Sequence, residues 1–183
     1  MVSLIPITKS RSLDYEFNAY DIQKATINYI DNFNDTNTIF HFLKSLRNTR
    51  KFFDILSVSK LEYEYTDTIL RKTLFVVPDE FFNNEIYESI VENNDIQLAR
   101  AIIKYHTLSY KVSYEDIYNS NGHFIKSDYD TDRNIKVDTN RNKIILNKNT
   151  TILIGDIEIG NAKCIKNCYI HMIDSLLLPS VLL

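Results

Sequence analysis

A chain of 183 residues is one domain's worth, and a globule of that size buries about 70% of its unfolded surface, so it needs no disulfide staples to fold. Its 21 Lys and Arg against 24 Asp and Glu leave a net charge of −3 with no long basic block, which argues against a nucleic-acid partner. Three glycines, Gly122, Gly155 and Gly160, cannot assemble a phosphate-cradling loop or a dinucleotide turn, and no apolar run approaches the roughly 18 residues of a membrane span.

Residues 1–20 have no clear period and read as an arm ahead of a single domain over residues 21–183. The start holds a short apolar patch broken by Pro6, with neither a basic flank nor a small-residue cleavage site. No signal peptide is read there, and the default address is cytoplasmic. Two glycosylation acceptor triplets, at Asn34 and Asn149, point the other way, in a chain so rich in Asn and Thr that such triplets also arise by chance. The excess of Asn, Ile, Lys and Tyr is what an AT-rich genome writes, that of a large DNA virus being one source.

Helical spacing begins at Ile22, Ala25, Tyr29 and Ile30. It returns in Ile39, Phe42, Leu43 and Leu46 and continues through Phe52, Phe53, Ile55 and Leu56. Residues 72–77 form a short β-prone run ended by Pro78, after which Asp79 is placed to cap the next helical turn. Asp95 has the same place ahead of a helix that sets Ile96, Ala99, Ile103 and His106 on one face. From Phe124 onward the runs are strand-like: Ile135 and Val137, Ile144 to Leu146, Ile152 to Ile154, Ile157 and Ile159, Cys164 and Ile165, Tyr169 to Ile173. Helices first and strands after is the α+β pattern.

The chemistry-bearing residues select no catalytic set: carboxylates and hydroxyls abound, but no spacing picks out a nucleophile and base or an opposed carboxylate pair. Glu85 and Glu88 read as a solvated helix face. Cys164 and Cys168 with scattered histidines lack the tight ligand pairs of a zinc site, so no metal and no cofactor is expected. In a hairpin around residues 165–167 the two thiols either form a disulfide or stay reduced, according to compartment.

Three stretches, in order, resemble the fasciclin-like domain family of adhesion and matrix proteins, of the periostin and transforming-growth-factor-beta-induced protein type. TLFVVPDEFF at 73–82 resembles the family's TVFAPTDEAF, with Thr73, Phe75, Asp79, Glu80 and Phe82 in register and Pro78 one place late. LARAIIKYH at 98–106 resembles the helix that ends in a Tyr-His pair, although TLSY follows where the family has two apolar residues and Pro-Gly. CYIHMIDSLLLP at 168–179 resembles the closing GVIHVIDRVLLP, matching at His171, Asp174 and the apolar positions. Ahead of it, GNAKCI at 160–165 resembles the penultimate strand, but the loop that carries an integrin-associated Asp-Ile pair in the family is cut to Lys166 and Asn167.

The resemblance implies N-terminal helices packed on a seven-stranded β-wedge or sandwich, no enzymatic activity, and protein binding to integrin-like receptors or matrix proteins outside the cell. For a viral chain it implies mimicry of a host adhesion protein. It assigns receptor contact to Tyr105 and His106, with Ile102, Ile103 and Leu108 around them, and structural roles to Thr73, Phe75, Asp79, Phe82, His171 and Asp174. His106 lies on the apolar side of its helix, which favours a hydrogen-bonded structural role; receptor contact needs that helix end exposed. The alternatives are an intracellular interaction module that keeps the fold without adhesion, and a hydrolase using His106 or His171 beside an Asp.

Overall fold

The computed structural model describes residues 38–67, 71–129, 134–159 and 168–179. The N-terminal arm, the helix expected at residues 22–30, Asn34, Cys164 and the strand-like run 160–165 lie outside the described residues.

The helical half starts where Thr38 accepts from the His41 amide at 3.2 Å and caps α1 (Ile39–Ser45). A 3-10 turn leads into α2 (Arg50–Ser59), which buries Phe52, Ile55 and Leu56. After β1 (Lys72–Val76) come α3 (Asn84–Glu92) and α4 (Ile96–Tyr105), capped through Asn83 and Asp95 at 3.1 and 3.0 Å. The cap expected at Asp95 is therefore present. Thr107 and Leu108, where the family pattern has two apolar residues ahead of its Pro-Gly, form the short strand β2 (Thr107–Leu108) against β1. Ser113 and Asp116 make a reciprocal capping box on α5 (Tyr114–Asn119).

Strands then follow closely: β3 (Phe124–Ile125), β4 (Ile135–Asn140), β5 (Lys143–Leu146), β6 (Thr150–Ile159) and β7 (Cys168–Ile173). Together the described strands form one seven-stranded sheet in the order β2-β1-β7-β6-β5-β4-β3. The architecture is α+β, as the residue pattern and the resemblance both implied. β1 is buried along its whole length and runs parallel to β7, pairing Thr73 with Tyr169 and Phe75 with His171. A parallel neighbour demands a long crossover, and that crossover is where α3, α4 and α5 sit. One apolar cluster joins Phe52 of α2, Ile102 and Ile103 of α4, Leu74 of β1 and Ile170 of β7. No helix among the described residues is long and apolar enough to cross a membrane.

Asp79 departs from expectation. It opens a 3-10 turn, Asp79–Phe81, and makes no cap within it; the following helix is capped by Asn83 instead. Its carboxylate accepts from the Lys51 amide at 2.8 Å, in the first turn of α2, where Thr49 offers no side-chain cap. The aspartate satisfies free helix N–H groups, as its motif position suggested, but those of a helix 28 residues earlier. Asp79→Ala is expected to cost about 1 kcal/mol, read as a lower urea midpoint at unchanged slope.

The β5–β6 turn, closed by the Asn149 amide on the Leu146 carbonyl at 3.3 Å, holds Asn147 and Lys148 at φ 48° and 73°. Positive φ is costly for lysine and free for glycine, although glycine loses more entropy on folding. Lys148→Gly is expected to stabilise by about 0.5 kcal/mol net, measurable as a small rise in thermal midpoint.

Candidate interaction site

α4 is the helix that carries the Tyr-His pair, and its apolar spacing decides which face is inward. Ala99, Ile102, Ile103 and His106 face the core, and His106 is wholly buried. Its Nδ1 lies 2.9 Å from the Ile102 carbonyl, an acceptor, so Nδ1 carries the proton. Nε2 then accepts from the Leu177 amide at 3.1 Å. The His106 carbonyl accepts from the Phe75 amide at 2.9 Å, and the ring meets Phe52 edge-on at 5.5 Å. One residue thus ties α2, α4, β1 and the segment after β7 together. Burial pulls its pKa down to about 4, against the opposing bond to Ile102.

Tyr105 is 4% exposed. Its hydroxyl donates to the Asn134 carbonyl at 3.4 Å and accepts from Asn147 Nδ2 at 2.9 Å. Ile102, Ile103 and Leu108 are each 0% exposed. The exposed helix end that receptor contact through these five side chains needs is not the arrangement in this fold, which places all of them inside.

The remaining motif residues form a second buried network around β7. His171 is fully buried and stacks on Phe75 at 5.6 Å. Its Nε2 donates to the Val112 carbonyl at 3.0 Å, and its Nδ1 accepts from the Asp156 amide at 3.2 Å. Burial lowers its pKa, with the Val112 bond and the Asp156 charge opposing. Thr73 donates to the Tyr110 carbonyl at 2.8 Å and accepts from the Val112 amide at 2.9 Å. Asp174 accepts from the Thr151 amide at 2.7 Å and returns its own amide to Thr151 at 3.1 Å, pinning the end of β7 to the start of β6. Phe82 is buried and meets Tyr87 edge-on at 6.0 Å.

Sequence reasoning missed Gly155 and Asp156, although a glycine inside an alternating strand is a bulge signal. The register of β6 against β7 shifts there, and Asp156 takes φ 56°. From the bulge, the Asp156 carboxylate accepts from the Tyr114 amide at 2.7 Å, holding the start of α5. A Cβ at Gly155 would lie 2.9 Å from the Tyr114 Cβ, an atom fixed to the backbone. Gly155→Ala is expected to destabilise by about 2 kcal/mol, seen as a lowered denaturation midpoint.

The outward face of α4 is different in kind. Gln97, Arg100 and Lys104 project there, with Arg100 Nε donating to the Ser59 carbonyl at 2.8 Å. Two shallow, open depressions, of about 610 and 660 Å³, share Lys104 and Tyr129. The first continues to Tyr110, 39% exposed, and Lys126; the second runs back to Asp95. Neither encloses a small molecule, and their mix of tyrosine rims and lysines suits contact with another protein. Lys104 was not singled out in the sequence; Tyr129 reaches it only through the fold, packing edge-on against Tyr105 at 6.1 Å.

The hydrolase alternative needed a histidine facing a cleft beside an aspartate. Both candidate imidazoles are instead enclosed, with both ring nitrogens held by main-chain groups. Among the described residues no three of His, Cys, Asp and Glu are grouped to hold a metal ion.

The family model described as the fasciclin domain matches residues 47–179. The fold is similar to the solved FAS1 domain pair from the insect cell adhesion molecule fasciclin I, with TM-score 0.63 and 18% identity over 78% of this chain and 51% of that one. The chain thus spans about half the length of that structure, and identity at this level speaks for the fold alone. No curated protein matches the sequence.

Proposed function

This chain belongs to the fasciclin domain family, and from that premise we propose that it is a non-enzymatic, adhesion-type domain that binds an integrin-like receptor or a matrix protein outside the cell. The observation that carries this reading is the family match over residues 47–179. The surface we assign to the contact is the outward face of α4 with its two depressions, because the inward face that carries Tyr105 and His106 is occupied by the protein's own core. Tyr110 and Tyr129 supply aromatic anchors, and Lys104 and Lys126 supply charge at the rim.

A domain of this kind presents one site, so a lone copy would occupy a receptor rather than crosslink a matrix. If the coding genome is viral, that behaviour is mimicry of a host adhesion protein. The intracellular interaction module is the second reading, favoured by Ser109 and Tyr110 standing where the family has its Pro-Gly turn after the Tyr-His pair.

The test coats the purified chain on a surface and counts attached animal cells, beside binding to immobilised matrix proteins. Saturable attachment to wild type is expected, with loss in the double variant Lys104→Glu/Lys126→Glu at unchanged circular dichroism and thermal midpoint. Full attachment by the double variant would remove the α4 surface from the reading. Absence of any attachment or matrix binding by folded wild type would remove adhesion.

A further inference from the structure

We propose that Asn149 is an N-glycan acceptor as the chain passes through the secretory lumen. This rests on the extracellular reading above. The triplet Asn149-Thr150-Thr151 has the acceptor amide, a non-proline middle residue and a hydroxyl two places on. A triplet alone is only a pattern; the fold adds three observations.

The first is position. Asn149 is exposed at the end of the β5–β6 turn, the kind of surface loop in which an acceptor must lie.

The second is availability. The neighbouring Asn147 is held at both ends, its Oδ1 accepting from the Lys136 amide at 2.9 Å and its Nδ2 donating to the Tyr105 hydroxyl at 2.9 Å. Asn149 contributes its backbone amide to the turn, and its side-chain amide makes no hydrogen bond to the described residues. A glycan there breaks no side-chain hydrogen bond among the described residues.

The third is direction. β6 begins at Thr150, which is 4% exposed and shares a hydrogen bond of 2.8 Å with Ser175. Side chains alternate along a strand, so with Thr150 inward Thr151 points to the other face, where it is half-buried, and Asn149 ahead of it is exposed in the turn. The acceptor amide thus stands in solvent, and the hydroxyl two places on is turned away from the side that Thr150 occupies.

The co-reactant is a lipid pyrophosphate-linked oligosaccharide. Nδ2 of Asn149 forms a bond to C1 of the first sugar, and the bond from C1 to the pyrophosphate oxygen breaks. The electron pair leaves with the lipid pyrophosphate, and the amide gives up one proton.

The experiment expresses the full chain in animal cells, once as it stands and once behind a cleavable secretion leader, and treats medium and lysate with an N-glycan-removing amidase. The amidase leaves aspartate where a glycan was attached, which peptide mass reads directly. With the leader, a mobility shift and conversion at residue 149 are expected, abolished by Asn149→Gln and by Thr151→Ala and retained in Thr151→Ser. An Asn34→Gln background separates the two triplets. Leader-bearing protein in the medium with unconverted Asn149 overturns the site and leaves the extracellular reading intact. Conversion at Asn149 behind the leader supports the acceptor whichever fraction holds the leaderless chain, and the attachment test above decides the adhesion reading separately.

Discussion

Folding stability is expected to fall by about 3 kcal/mol through His106 alone as pH drops from about 6.5 to about 4. The cause is that the folded state holds this imidazole neutral while the unfolded chain protonates it freely. Its folded pKa sits at about 4 because of burial, below the ordinary value of about 6.5. A lowered folded pKa means that the unfolded state binds more protons throughout that window. Its contribution is therefore complete above about pH 6.5, is lost as pH falls, and stops changing below the folded value. His171 is shifted in the same direction, also by burial, so both histidines act with one sign. Geometry gives the reason: each ring already uses one nitrogen as donor and one as acceptor to main-chain groups, and a second N–H on His106 would point at the Leu177 amide. Urea unfolding at half-unit steps from pH 7.5 to 4 would read the slope, His106 contributing about 1.4 kcal/mol per pH unit inside the window and His171 adding in the same direction. Nitrogen-15 shifts should show the His106 ring still neutral at pH 5. A flat profile between pH 6.5 and 5 sinks the neutral, enclosed histidines.

What the sequence made legible follows the range of the interaction involved. Residues 72–77 announced β1 because continuous β-prone apolar residues ended at a proline, and α4 was readable because one face repeats at helical spacing behind a capping aspartate. Both signals are local. Asp79 shows where local reasoning stops: the residue type and its task were right, but the helix it serves is placed beside it by the packing of α2, not by chain order. The same holds for the candidate site. Motif matching brought out Tyr105 and His106, and the apolar spacing already hinted that His106 points inward. That Tyr105 is also enclosed depends on Asn134 and Asn147, contributed by the β-half of the chain. Lys104 and Tyr129 meet only once the loop after β3 crosses the outward side of α4. No periodicity marks that meeting. Asp156 went unseen because its role needs a bulge in β6 and the start of α5 at once.

Truncating His106 to alanine is expected to cost about 4 kcal/mol, the sum of a cavity in a fully buried site and an unsatisfied Leu177 amide. Whole domains of this size are stable by about 5–15 kcal/mol, so the single variant gives up roughly a quarter to four-fifths of that, and adding Tyr105→Ala, about 3–5 kcal/mol more, brings the double variant toward unfolding. His106→Phe keeps most of the volume and loses only the polar partners, and about 2 kcal/mol is expected; the difference between the two midpoints measures the cavity. This bears on how attachment data should be read. Loss of cell attachment in a Tyr105→Ala/His106→Ala protein is the expected result of unfolding whether or not either side chain meets a receptor. Tyr105→Phe separates the possibilities, because it removes the hydroxyl that accepts from Asn147 at 2.9 Å while leaving the ring packed on Tyr129, at an expected cost of about 1 kcal/mol. With the pair acting inside the core, folded Tyr105→Phe attaches as wild type does and Lys104→Glu/Lys126→Glu does not. Attachment lost in folded Tyr105→Phe and kept in the lysine variant would return the contact to the Tyr-His end of α4, and would require that end to open on binding.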